Sequence, residues 1–353
     1  METPYPVCAA RSCRPLRAGR DRDPRRLPPP EHLYLEGAYK LSDELRINGT
    51  VPQVSGVHRC ALKFKAFVIE KWLDEHIRPA FIRHAIGYNA EEQQRIESSE
   101  YATAAREAQR KSERIAFGFN VEETERITRS CEYNTLSREA FYPIMEWGWT
   151  RQDCLDYLYR MFGIEWQKSA CTYCPFARLK TAAIERQKGH PGQLAAALVL
   201  ELTSLALNPR GALYKDTALI DIARKERYDE ALQIMADILA KSDWALYRVR
   251  RLLNATKSGG KGTVDRCVER LATFQTREQA LAALLAHKAF GEFEEIRHIP
   301  YIWIQRRAES TYPTREELFS IAPATVETKA RYGVPWFDAR WNQQTLFSGT
   351  YAT

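Results

Sequence analysis

Apolar and polar positions along the chain alternate between a helical and a strand-like period. From Cys60, the segment CALKFKAFVIEKWLDEH places Leu62, Phe67, Ile69, Trp72 and Leu73 near helical spacing and predicts an amphipathic helix on a core. RHAIGYN follows as a short apolar run ending in Gly87, read as a buried strand with a functional loop after it. FYPIMEW is a second strand-like run. WTRQDCLDYLYRMFG then predicts a helix with defined ends, Thr150 as N-cap, Asp153 three residues on and Gly163 as the stop. From about residue 192, GQLAAALVLELTSLALNP is a strongly apolar helix halted by Pro209, with further helices to about 241. In the last third, two short runs rich in β-branched and aromatic residues, at 244–254 and 296–306, are expected to pair as neighbouring strands. Between them Thr276 and Gln279 form a capping-box pattern ahead of Leu281, Leu284 and Leu285.

The resulting organisation has four parts. Residues 1–31, with seven prolines and almost no apolar run, read as a disordered tail. An α/β domain spans 32–180, a helical segment 181–241 and a small α+β domain 242–353. The stretch 89–131, rich in Glu, Gln, Arg and Ser, reads as exposed helix and loop. The net charge is +7, and the tail supplies +3 of it, so the body is only mildly basic. Such a body suits phosphate-bearing ligands without requiring nucleic acid. No stretch of 18 apolar residues occurs and the N-terminus has no apolar core of a secretory signal, so the expected compartment is the cytoplasm.

Reduced thiols are expected there, which directs attention to KSACTYCPF. A CxxC turn points two sulfurs to one side and can grip a soft ion. Cys171 and Cys174 therefore read as ligands of zinc or an iron–sulfur cluster, or else as plain thiols in a turn ending at Pro175. Cys60 is the best third ligand, with His58 or Cys154 as a fourth. KSGGKGT at 257–263 has the look of a phosphate-cradling loop, but it lacks the earlier glycine of the Walker pattern and is read as a linker ahead of a helix near Val264. Basic and aromatic residues interleave in YRVRR and YIWIQRR, a pattern that fits either nucleic acid or an edge strand with outward arginines.

In order, HRCALKFKAF, IGYNAEEQQR, YPIMEWGWTRQDCLDYL and KSACTYCPF resemble the later motifs of the phosphoadenosine phosphosulfate reductase family, over about residues 34–180. That family has the Rossmann-like adenine-nucleotide α-hydrolase-like fold, and its wider group includes enzymes of DNA phosphorothioation. The resemblance implies an ATP or sulfonucleotide site at Lys63, Gly87, Glu91 and Arg95, a metal or cluster at Cys60, Cys171 and Cys174, and sulfur transfer or adenylation as chemistry. It matches the family's segment leading into a helix at Tyr142, Pro143, Trp147 and Asp153. Two features depart from it. No Ser-Gly-Gly-x-Asp-Ser phosphate loop precedes residue 60, which makes the domain N-terminally incomplete and implies weak ATP binding or an inactive chain. The last cysteine is Cys267, so the C-terminal nucleophilic cysteine of the thiol-dependent reductases has no counterpart. The alternative is a non-enzymatic CxxC zinc protein that binds nucleic acid through its basic C-terminal domain.

Overall fold

The computed structural model describes residues 40–52, 81–97, 138–166, 171–177, 189–214, 217–308 and 311–348, with isolated positions at 60, 63, 64, 69, 73 and 187. The tail 1–31, His58, most of 89–131 and the segment after Cys60, isolated positions apart, lie outside the described residues. The chain forms two compact units, Met1–Ala38 with His58–Lys168, and Tyr39–Val57 with Ser169–Thr353. The fold is mixed α/β, with a parallel sheet in the first unit and an antiparallel sheet in the second. Among the described residues no helix is long and apolar enough to cross a membrane.

In the first unit, β1 (Ile82–Ala85) pairs in parallel with β2 (Arg138–Phe141), from Ile82 opposite Arg138 to Ala85 opposite Phe141. The strand expected in FYPIMEW stops at Phe141, and Pro143 opens a short helix, Pro143–Glu146. Proline suits that first helical position, since its φ is preset and the amide it lacks would be unpaired there. The helix Arg151–Phe162 has the ends the sequence predicts. Thr150 and Asp153 cap each other's backbone amides, and Gly163 closes it in the left-handed region at φ 67°.

The second unit is built on a six-stranded sheet in the order β5-β6-β7-β3-β4-β8. The strands are β3 (Trp244–Ala255), β4 (Lys261–Phe274), β5 (Glu292–Ile296), β6 (Ile299–Gln305), β7 (Thr314–Pro323) and β8 (Lys329–Ala330). The expected pairing of 244–254 with 296–306 is corrected here: β7 lies between β3 and β6 and bonds to both. The helix expected near Val264 is instead β4, and in KSGGKGT residues 257–260 form the turn of the β3–β4 hairpin while 261–263 open β4. In that turn Thr256 accepts the Gly260 amide at 2.9 Å and Gly259 takes φ 80°. Glu269 of β4 and Glu317 of β7 form cross-strand ion pairs with Arg250 and Arg248 of β3, and this charge conceals the alternation of β4 and β7 from a hydrophobicity reading.

The helices Pro191–Leu207, Leu219–Lys225 and Asp229–Ala240 join Leu41–Asn48 in one core with Tyr247, Val249, Val268, Tyr301 and Leu318 of the sheet. The segment read as a separate helical part at 181–241 thus shares its core with the sheet that follows. A second cluster joins helix Arg277–Leu285 to Trp244, Leu246, Ile302 and Ile321, and a third joins helix Val334–Ser348 to Leu252 and Cys267. Gly49 ends helix Leu41–Asn48 at φ 55°, where an added Cβ would collide with the side chains of Leu207 and Val326. Gly49→Ala is expected to cost about 1–3 kcal/mol through positive φ and overpacking together. A urea midpoint identical to wild type would contradict this account of the cap.

Candidate functional site

Parallel strands deliver their following loops to one edge, the usual location of ligand sites in α/β units. After β1 the chain runs through Gly87, Tyr88 and Asn89 into a short 3-10 turn, Ala90–Glu92. Asn89 caps this turn by accepting the Glu91 amide at 2.9 Å, while Glu92 reaches back to the Asn89 amide at 3.3 Å. After β2 the chain runs through Tyr142 and Trp149 into the helix Arg151–Phe162. The two segments are tied by the Ala90 amide donating to the Trp149 carbonyl at 2.8 Å and by Glu91 accepting the Arg151 amide at 3.4 Å. Tyr88 stacks on Tyr142 with centroids 5.9 Å apart, and Arg95 lies over Tyr88 while pairing with Glu92 at 2.5 Å.

Gly87, Glu91 and Arg95 are thereby gathered with the YP…W…D segment. Lys63 has its ammonium 5.5 Å from the Phe64 ring centroid. Three residues of the site were not singled out from the sequence. Trp149, Asp156 and Arg160 line an open cleft of about 520 Å³ together with Asp153. The hydrogen bonds from Thr150 hold the Asp153 carboxyl below its usual range, so it is ionised at neutral pH. Trp147, 61% exposed, packs on Trp149 at 5.3 Å, and Trp149 packs on Tyr157 at 5.2 Å, a row of rings exposed at both ends and half-buried at Trp149. The pattern of Trp147, Trp149 and Tyr157 was the available signal, but aromatic residues beside a helix more often enter a core.

The three cysteines divide between the units. Cys60 belongs to the first, while Cys171 and Cys174 belong to the second. The CxxC run forms a turn closed by the Cys174 amide on the Cys171 carbonyl at 3.0 Å, followed by a 3-10 turn from Pro175. Cys171 is exposed, and Tyr173 between the two thiols packs against the helical core. Among the described residues no three His, Cys, Asp or Glu side chains gather to hold a metal. Two thiols alone do not complete a tetrahedral zinc site or a cluster site. Cys267 is fully buried, and burial pushes its thiol up to about 11, the opposite of an activated nucleophile.

The arginines of YRVRR are paired inside the second unit. Arg248 bonds Glu317 at 2.6 Å, Arg250 bonds Glu269 at 2.9 Å and Asp338 at 2.7 Å, and Arg251 bonds Glu316. Arg306 of YIWIQRR pairs with Glu292 and Glu294. Comparison of the chain with known protein families, with curated proteins and with solved structures found no match.

Proposed function

We propose that the first unit is a Rossmann-like, sulfonucleotide-reductase-like domain that takes an adenine nucleotide or sulfonucleotide at the edge where β1 and β2 end. The observation that carries this reading is the junction of the two post-strand loops, Ala90 to Trp149 and Glu91 to Arg151, which gathers Gly87, Glu91 and Arg95 with the half-buried indole of Trp149 and the exposed one of Trp147. The chemistry of the lining suits the nucleoside end best. Trp147 and Trp149 offer faces for a base, and the carboxylates of Glu91 and Asp153 can accept ribose hydroxyls. Arg160, and Arg95 in addition to its pair with Glu92, are the cations of the site that can meet the charged end. Asp153 and Asp156 oppose a polyphosphate in the same cleft, so the phosphate groups contribute little affinity. Sulfur transfer or adenylation is the reaction class that the resemblance attaches to such a site. The resemblance also implies an iron–sulfur cluster or zinc, for which Cys171 and Cys174 supply only two of the donors required.

The test is saturation-transfer NMR and calorimetry on the full chain with ATP and with adenosine 5′-phosphosulfate. Binding is expected near a Kd of about 1 mM, roughly −4 kcal/mol, and Trp147→Ala should remove most of it. Micromolar ATP affinity would contradict the loop-deficient site, and saturable binding untouched by Trp147→Ala and Arg95→Ala would place the nucleotide elsewhere.

A further inference from the structure

The second unit carries another cleft, of about 690 Å³, where the β3–β4 hairpin meets Pro313 and the start of helix Val334–Ser348. Its walls include Asn254, Tyr332, Trp336, Arg331 and Arg340. The ring of Tyr332 packs edge-on to Trp336 with centroids 4.6 Å apart. Each ring carries a guanidinium 5.1 Å from its centroid, Arg331 over Tyr332 and Arg340 over Trp336. Arg340 is held in place by donating to Asn254 Oδ1 at 3.0 Å, and Asn254 is fixed in turn by donating to the Thr263 carbonyl at 3.1 Å and to Asp265 at 3.0 Å. That last contact occupies Asp265, the acidic residue of the lining. Among the described residues neither Arg331 nor Arg340 pairs with a carboxylate, in contrast to Arg248, Arg250, Arg251 and Arg306.

We infer that this cleft binds a single-stranded nucleic acid segment. Two unneutralised guanidiniums present planar donor forks suited to phosphate oxygens. The indole and phenol beside them offer stacking surface to bases irrespective of sequence. The cleft is open, and exposed Lys257 and Lys261 of the hairpin continue the positive charge beyond it, as a chain of phosphates requires and a lone nucleotide does not. The site is separate from the nucleotide site proposed for the first unit and does not depend on it.

Fluorescence anisotropy of the full chain with a labelled oligothymidylate of about ten nucleotides tests the inference across a salt series. Affinity should fall with salt, and Arg331→Gln should reduce the magnitude of the log–log slope by about 0.7, one phosphate contact on a single strand. Trp336→Leu should weaken binding about 5- to 100-fold. Because Trp336 adjoins a packed region, the exposed Arg331→Gln change and a far-ultraviolet spectrum distinguish lost binding from lost folding. No anisotropy change at low salt overturns the proposal. So does binding that survives Arg331→Gln with Arg340→Gln, and so does adenosine monophosphate competing as well as the oligonucleotide does.

Discussion

Glu316→Ala lowers the free energy of unfolding by about 3–5 kcal/mol, the cost of leaving one member of a buried ion pair alone. The β3–β7 register sets Arg251 directly opposite Glu316, and the two side chains are only 7% and 9% exposed. The guanidinium also donates to the carbonyl of Leu207, the last residue of helix Pro191–Leu207, where helical geometry leaves carbonyls without a partner. One side chain thus ties the sheet to the end of the helix that packs on it. Burial already pushes Arg251 below the usual arginine value, and the Glu316 carboxylate is what opposes this. Without Glu316 that guanidinium keeps, among the described residues, the Leu207 carbonyl alone. Replacing both partners, Arg251→Met with Glu316→Leu, should recover most of the loss, since an apolar pair of similar volume removes the desolvation cost altogether. Urea unfolding of the two variants decides the matter. A single substitution costing under about 1 kcal/mol, as a solvated pair would, would show that the pair is not effectively buried.

How far the sequence disclosed this architecture depends on where charge falls. Helix Arg151–Phe162 was legible to the residue because Thr150, Asp153 and Gly163 act through backbone amides and φ, which are local properties. The helix before Pro209 was legible because it is buried along most of its length and reads as one apolar run. Strands β4 and β7 were not, for they carry Glu269, Glu316 and Glu317, and the β3 arginines that pair with these carboxylates lie 19 to 69 residues away in sequence. No local period reveals a charge that is neutralised across a sheet. The site shows the same division. Gly87, Glu91 and Arg95 were legible as a post-strand loop, whereas the part of Arg160 and Asp156 in the cleft depends on how the helix lies against Trp149. The proposed link from Cys60 to the CxxC turn joins residues of two different units and rested on thiol chemistry together with the resemblance, neither of which fixes a distance. The arginine–aromatic cleft escaped notice because its contributors, Asn254, Arg331, Trp336 and Arg340, sit on three separate elements.

Glu201→Leu should destabilise the second unit by about 3 kcal/mol or more, at roughly 1–3 kcal/mol for each buried amide left unpaired. Glu201 is fully buried within the helix Pro191–Leu207. Its Oε1 accepts the amides of Leu213 at 2.9 Å and Leu219 at 2.8 Å, and its Oε2 accepts that of Ile220 at 3.0 Å. Leu219 and Ile220 open the helix Leu219–Lys225, whose N-cap, Ala218, has no side chain able to cap it. A carboxylate from a neighbouring helix therefore does the work of an N-cap. Glu201→Gln keeps one accepting oxygen but turns an NH₂ toward the Ile220 amide, so a smaller loss, about 1–3 kcal/mol, is expected. The pH dependence separates charge from shape. Burial raises the Glu201 carboxyl above its ordinary value of 4.5, against the opposing pull of the three amides. The native state then holds the proton more tightly than the unfolded chain, and stability declines as pH climbs from about 4.5 through the raised value. Subtracting the Glu201→Gln stability curve from the wild-type curve should expose that decline over this window, since glutamine does not titrate. A difference that instead grows with pH would show that the three amide bonds outweigh burial, with the carboxylate as the preferred form in the folded protein.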